Sequence, residues 1–189
     1  MTALITKAQF DDFKLITANI APGKFASYLR EAQEFDLQPL LGVELYIDLL
    51  DSAVNSPQYG DYEDLMLGST YTRPNSDRKF KHEGVVAVLS YYIYSRYLMD
   101  AGVNSTPFGV VQKTNDFSQP TSDKTIARKI SQAQSGGKAY WEGVQRYIID
   151  NKTLTFLNLY RCAKTNTTGQ GVNITAVGGN SNNRTKYRS

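Results

Sequence analysis

Residues 84–100 read GVVAVLSYYIYSRYLMD, and the placement of apolar side chains along them decides what kind of fold the chain can have. At helical spacing Val85, Val88, Leu89, Tyr92 and Arg96 share one face, with Val86, Ile93 and Tyr97 beside it. A helix that is apolar almost all round belongs inside a bundle, covered on several sides. The pattern predicts a central helix over 79–100, with Gly102 suited to the position just past its end. The rest of the chain must supply the helices that cover it.

Downstream, Ile126, Ile130, Ala133, Gly137, Trp141, Val144 and Ile148 recur at steps of four and three, which predicts one long helix capped by Ser122 or Asp123. Gly136-Gly137 interrupts it at about 1 kcal/mol per glycine relative to Ala, a cost that predicts a close backbone approach or a bend. Upstream, Leu41, Leu45 and Leu49 form a row joined by Tyr46 and Leu50, on a helix opened by Pro39. Phe25, Leu29 and Ala32 predict an earlier helix from Pro22 to about Phe35, broken at Asp36. Thr6 and Gln9 read as a capping box ahead of Phe10 and Phe13. A short acidic helix over 62–67 lies between loops at 51–60 and 68–77. Residues 153–162, TLTFLNLYRC, fit either a last helical turn or an extended segment.

The expected fold is therefore all-α, a bundle of four to five helices with a small extended or hairpin insertion at about 104–120. Within the insertion, TPFGVVQKTND (106–116) combines Pro, Gly and two adjacent valines and is the strand candidate of the body. The length of 189 residues, with 41% apolar content, fits one domain around a single core. The net charge of +3 divides unevenly, because residues 161–189 hold five Lys/Arg and no acid and leave 16 bases against 18 acids before them. The chain reads as a helical domain over 1–160 and a polar, basic, extended tail over 161–189 that orders only on a partner. Inside the tail, residues 171–177 alternate apolar and polar side chains as a strand does when added to another sheet. Val172, Ile174 and Val177 of this island, with Phe108, Val110 and Val111 of the insertion, are the candidate partner-docking residues.

One cysteine and one histidine exclude an internal disulfide framework, multi-cysteine zinc sites and motifs that need two histidines. His82, beside Lys81 and Glu83, reads as a surface or helix-start histidine rather than a proton carrier, since no nucleophile pattern accompanies it. Cys162 has Arg161 and Lys164 as neighbours, a setting that lowers a thiol pKa, but a lone cysteine at a domain boundary reads as incidental. Asp61, Glu63 and Asp64, like Glu31 and Glu34, read as solvated helix faces. Gly169-Gln170-Gly171 and Gly178-Gly179 lack the Lys-Ser/Thr of a phosphate loop and read as linker. Tyr91, Tyr92, Tyr94 and Tyr97 read as core bodies with hydroxyls reaching a polar rim or a neighbouring subunit rather than a base-stacking surface. No catalytic, cofactor-binding or metal-ligating residue is assigned, and no cofactor is expected. No apolar run approaches the roughly 20 residues of a membrane span, and the segment MTALITKAQFDDFK has the character of neither a signal nor a transit peptide. A soluble product made in the cytoplasm is expected.

Several short motifs, taken in order, carry a resemblance. They are Leu4-Ile5-Thr6-Lys7-Ala8-Gln9, then Tyr28-Leu29-Arg30-Glu31-Ala32-Gln33, then Leu37-Gln38-Pro39-Leu40-Leu41-Gly42, then Leu45-Tyr46. Over about residues 3–50 the chain resembles the head-to-tail connector, or neck, proteins of tailed phages infecting Bacteroidetes, the crAss-like and related phages. The resemblance implies a non-enzymatic helical subunit of the virion, made in the host cytoplasm and assembled with itself into a ring, as a dodecamer, beneath the portal. It also implies portal and other neck or tail proteins as partners, and genome DNA passing through the channel without sequence-specific binding. The basic tail supports a rival reading, a DNA-binding or packaging accessory protein. A small enzyme using His82 and a carboxylate is a third.

Overall fold

A computed structural model describes residues 2–14, 22–55, 59–74, 76–101, 103–106, 109–112 and 123–160. The chain is mainly helical. Its centre is α6 (Gly84–Ala101), in which Val85, Val88, Leu89 and Ile93 are fully buried. The expected seam packs on it as α7 (Asp123–Asp150), burying Ala133, Trp141, Val144 and Ile148. Gly136 and Gly137 do mark a close approach, but by side chains. The ring of Tyr91 occupies the space of a Cβ at Gly136, and the ring of Tyr92 lies 3.2 Å from that of Gly137, while α7 runs on unbroken.

The N-terminal helices cover another side of α6. α1 (Lys7–Asp11) starts at the capping box, with Thr6 accepting from the Gln9 amide and Gln9 returning to the Thr6 backbone. Its Phe10 is buried against Phe25 with ring centroids 5.4 Å apart. The segment from Pro22 does not break at Asp36. α2 (Pro22–Glu31) continues through a π-helical turn over Ala32–Leu37 into α3 (Gln38–Leu41). The widened turn sits just before Pro39, which has no N–H to return to it. The turn leaves Phe35 largely exposed while burying Gln33 and Leu37. Gly42, at φ 84°, stops this run, and α4 (Val43–Asn55) follows. Leu41, Leu45 and Leu49 are all fully buried, as their row predicts.

The helix expected to begin at Lys79 starts five residues later, and a strand precedes it. After α5 (Glu63–Leu67), β1 (Ser69–Thr72) pairs antiparallel with β2 (Lys79–His82), with Tyr71 opposite Phe80. Residues 68–77 are therefore not simply a loop, and the body holds a hairpin besides the insertion. The boundary is set by two glycines with positive φ, Gly68 and Gly84, whose backbones press so closely that a Cβ on either would collide with main-chain atoms of the other crossing. The hairpin is fastened to the end of α7: Asp150 accepts from the Tyr71 hydroxyl at 3.0 Å and from Arg73 Nε at 3.1 Å. A carboxylate at a helix C-terminus is unfavourable alone, and these two donors offset it.

The insertion is a hairpin, shifted toward α6 from the expected 104–120. β3 (Val103–Thr106) pairs with β4 (Gly109–Gln112), Ser105 opposite Val110 and Asn104 opposite Val111. Residues 155–159 form a 3-10 turn that packs on α4, the helical of the two alternatives.

Candidate functional site

A cleft of about 460 Å³ opens between α2 and the C-terminal half of α6, where the chain leaves for the β3–β4 hairpin. Lys24, Ser27, Tyr28 and Glu31 line it from one helix, Arg96, Met99 and Asp100 from the other. Helical spacing aligns each set on one face. Asp100 Oδ2 accepts from the Tyr28 hydroxyl at 2.5 Å and pairs with Lys24 Nζ at 3.3 Å. Burial, followed by that hydrogen bond, holds the Tyr28 phenol well above its ordinary pKa. Arg96 donates from Nη1 to Glu31 at 3.0 Å and from Nε to Asp36 at 2.9 Å, and stands 5.5 Å from the Phe35 ring centre. The cleft's charges are thus engaged in tying α2 and the π turn to α6, with Met99 half-exposed at the rim. No histidine or cysteine lines it.

His82 lies elsewhere and is not the surface residue expected. It ends β2, is 4% exposed, and stacks on Tyr147 with ring centroids 4.4 Å apart. Nε2 is 3.3 Å from Ser69 Oγ, and Nδ1 is buried without a hydrogen-bond partner. Burial lowers its pKa, with Asp64 and Glu83 pulling the other way through space. Neither carboxylate hydrogen-bonds the ring among the described residues. Among the described residues no group of three metal-ligating side chains occurs, the clusters at 61–64 and 31–34 included.

Of the candidate docking residues, Val110 and Val111 fall on β4, and their side chains lie outside what is described. Phe108, Val172, Ile174 and Val177 are outside the described residues altogether, as are Cys162 and the tail. The central tyrosines are partly buried: Tyr91 packs on Tyr140, Tyr97 meets Tyr28 edge to face, and Lys14 Nζ sits 4.1 Å from the centre of the Tyr91 ring. The cleft itself escaped sequence reasoning, because Tyr28 and Lys24 stand 72 and 76 residues from Asp100.

These features define a mainly helical protein with a charged cleft beside a hairpin and a histidine enclosed in its core. The chain belongs to a family of unknown function, DUF6712, whose model matches residues 37–170, from the π turn through α7 and beyond. No curated protein and no solved structure matches it.

Proposed function

We propose that the protein is a structural virion subunit, a head-to-tail connector that assembles with copies of itself into a ring between portal and tail. The observation that carries the reading is the set of large apolar side chains left on the outside of a completed core. Phe35, Leu67, Met99 and Ile149 are each about half exposed or more, on segments whose inner faces are buried. A contiguous apolar surface marks a contact with another chain, and in this reading these side chains supply it. A heterologous contact, one patch against a different patch, closes into a ring when its rotation permits. The motifs between Leu4 and Tyr46 support the same reading by resemblance. Light scattering on the purified chain, alone and mixed with its portal, tests it. A ring-sized species is expected, and a monomer under both conditions overturns the proposal.

The second reading, a DNA-binding or packaging accessory, draws on the five Lys/Arg and absent acids of residues 161–189. It requires duplex binding that weakens steeply with salt and disappears when 163–189 are removed. Lack of binding at low salt ends it.

A further inference from the structure

The outer face of α4 carries two parallel rows. Val43 and Ile47, 58% and 51% exposed, stack one turn apart. Beside them Glu44, Asp48 and Asp51 form an exposed acidic row, while Leu45, Tyr46 and Leu49 hold the opposite face in the core. Residues 31–64 contain nine carboxylates and no Lys, Arg or His. Glu31, Glu34 and Asp36 are paired with Arg96 and Arg30, and Asp48 also accepts from the Tyr62 hydroxyl, which leaves the α4 row without a base in its own stretch of sequence. A second α4 laid on this face would oppose acidic row to acidic row. Nucleic acid and anionic lipid are repelled for the same reason. The occupant has to be basic and has to bring apolar side chains of its own.

We propose that this occupant is the chain's own C-terminal segment, residues 161–189, docked along the outer face of α4 in the same subunit. The segment has the complementary chemistry: Arg161, Lys164, Arg184, Lys186 and Arg188 with no acid, around the apolar island Val172, Ile174 and Val177. It also starts in the right place. The 3-10 turn at Thr155–Leu159 packs on α4 and sets Phe156 4.7 Å, between ring centres, from Tyr62, whose hydroxyl donates to Asp48 of α4; Tyr160 follows it directly. Tethering beside its target raises the segment's effective concentration there to the millimolar range, about what a short flexible linker gives. Exposed ion pairs are weak singly, but several opposite charges held within a Debye length, about 8 Å at physiological salt, act together. The inference stands apart from the connector reading and holds for a subunit on its own.

Zero-length carbodiimide coupling of the full chain, followed by mass spectrometry, tests the contact directly, because it joins an amine to a carboxylate only where the two touch. Lys164 and Lys186 are expected to couple to Glu44, Asp48 and Asp51 in about tenfold excess over the exposed Asp77 and Glu142, as a tethered contact requires. In an equal mixture of isotopically heavy and light protein, the products are expected within one chain. The double variant Val43→Ser, Ile47→Ser keeps every carboxylate and is expected to cut the yield several-fold at unchanged helicity. Coupling spread evenly over the exposed acids, or no coupling to α4, overturns the proposal. So do heavy–light products only, which assign the face to a neighbour's tail, and an unchanged yield in the double variant.

Discussion

The ring of Tyr91, reaching from α6, fills the space that a Cβ would take at Gly136 on α7. It is held there by Tyr140 on one side, 5.1 Å between ring centres, and by Lys14 on another. Helix propensity alone would favour Ala over Gly at any interior position of α7 by about 1 kcal/mol. At Gly136 the packing term has the opposite sign and is larger, because overfilling a packed contact costs about 1–3 kcal/mol. Gly136→Ala is therefore expected to lower the urea midpoint. At Gly143 the nearest atom to a built Cβ is His82 Cβ at 3.4 Å, an ordinary contact, so Gly143→Ala is expected to raise stability by about 0.5–1 kcal/mol. Equal shifts at the two positions would show that propensity, not the Tyr91 ring, sets the sign.

Gln33 is a polar side chain with no exposure, and the π turn is what aims it inward. Its Oε1 accepts from the Leu4 amide at 2.9 Å and its Nε2 donates to the Thr2 carbonyl at 3.1 Å, pinning the N-terminal segment to the core. Gln33→Ala leaves the Leu4 N–H buried and unpaired, which costs about 1–3 kcal/mol. Amide exchange gives the local readout: Leu4 is expected to lose protection in the variant while the α6 amides keep theirs. Unchanged protection at Leu4 would remove Gln33 as its anchor.

Where the sequence spoke clearly, it did so through repetition. The rows Leu41-Leu45-Leu49 and Ala133-Trp141-Val144-Ile148 each span several turns, so one buried face outweighs any local exception. Strands of four residues give no such averaging. Ser69–Thr72 and Lys79–His82 alternate correctly, yet each offers only two inward positions, and the apolar run after Gly84 extends a helical reading back over Lys79. The π turn adds a residue without changing composition, so nothing marks it, or the inward turn of Gln33, in advance. The cleft joins residues more than seventy positions apart, beyond the reach of any periodicity.

The enclosed His82 contributes to the loss of stability in acid. In the unfolded chain its imidazole takes up a proton as pH falls through about 6.5. In the folded chain burial holds the pKa below that value. The unfolded state then binds more protons in the window between the two, so the stability present above pH 6.5 is lost as pH falls toward the folded value. His82→Phe keeps a ring against Tyr147 and removes the titration. The fall in Tm between about pH 7.5 and 5 is expected to be smaller in this variant than in the parent. Parallel Tm curves would assign the acid sensitivity to other groups.

Arg96 is the cation that holds the π turn to the central helix, bonding Glu31 before the turn and Asp36 within it. It is 18% exposed, and Asp36 is 24% exposed, so neither charge is fully compensated by water. Hydrogen bonds to charged groups are worth about 1.5–3 kcal/mol, well above the exposed i,i+4 pair Arg30–Glu34 that runs from α2 into the π turn. Arg96→Met is expected to cost about 2 kcal/mol, and Arg96→Lys most of that, because one ammonium does not reproduce a planar fork serving two carboxylates on either side of a turn. A double-mutant cycle with Asp36→Asn separates the pair from the rest. If Arg96→Lys matches the parent in urea unfolding, charge alone holds the turn and the two-sided geometry contributes nothing. If it falls with Arg96→Met, the fork is what joins α2 to α6.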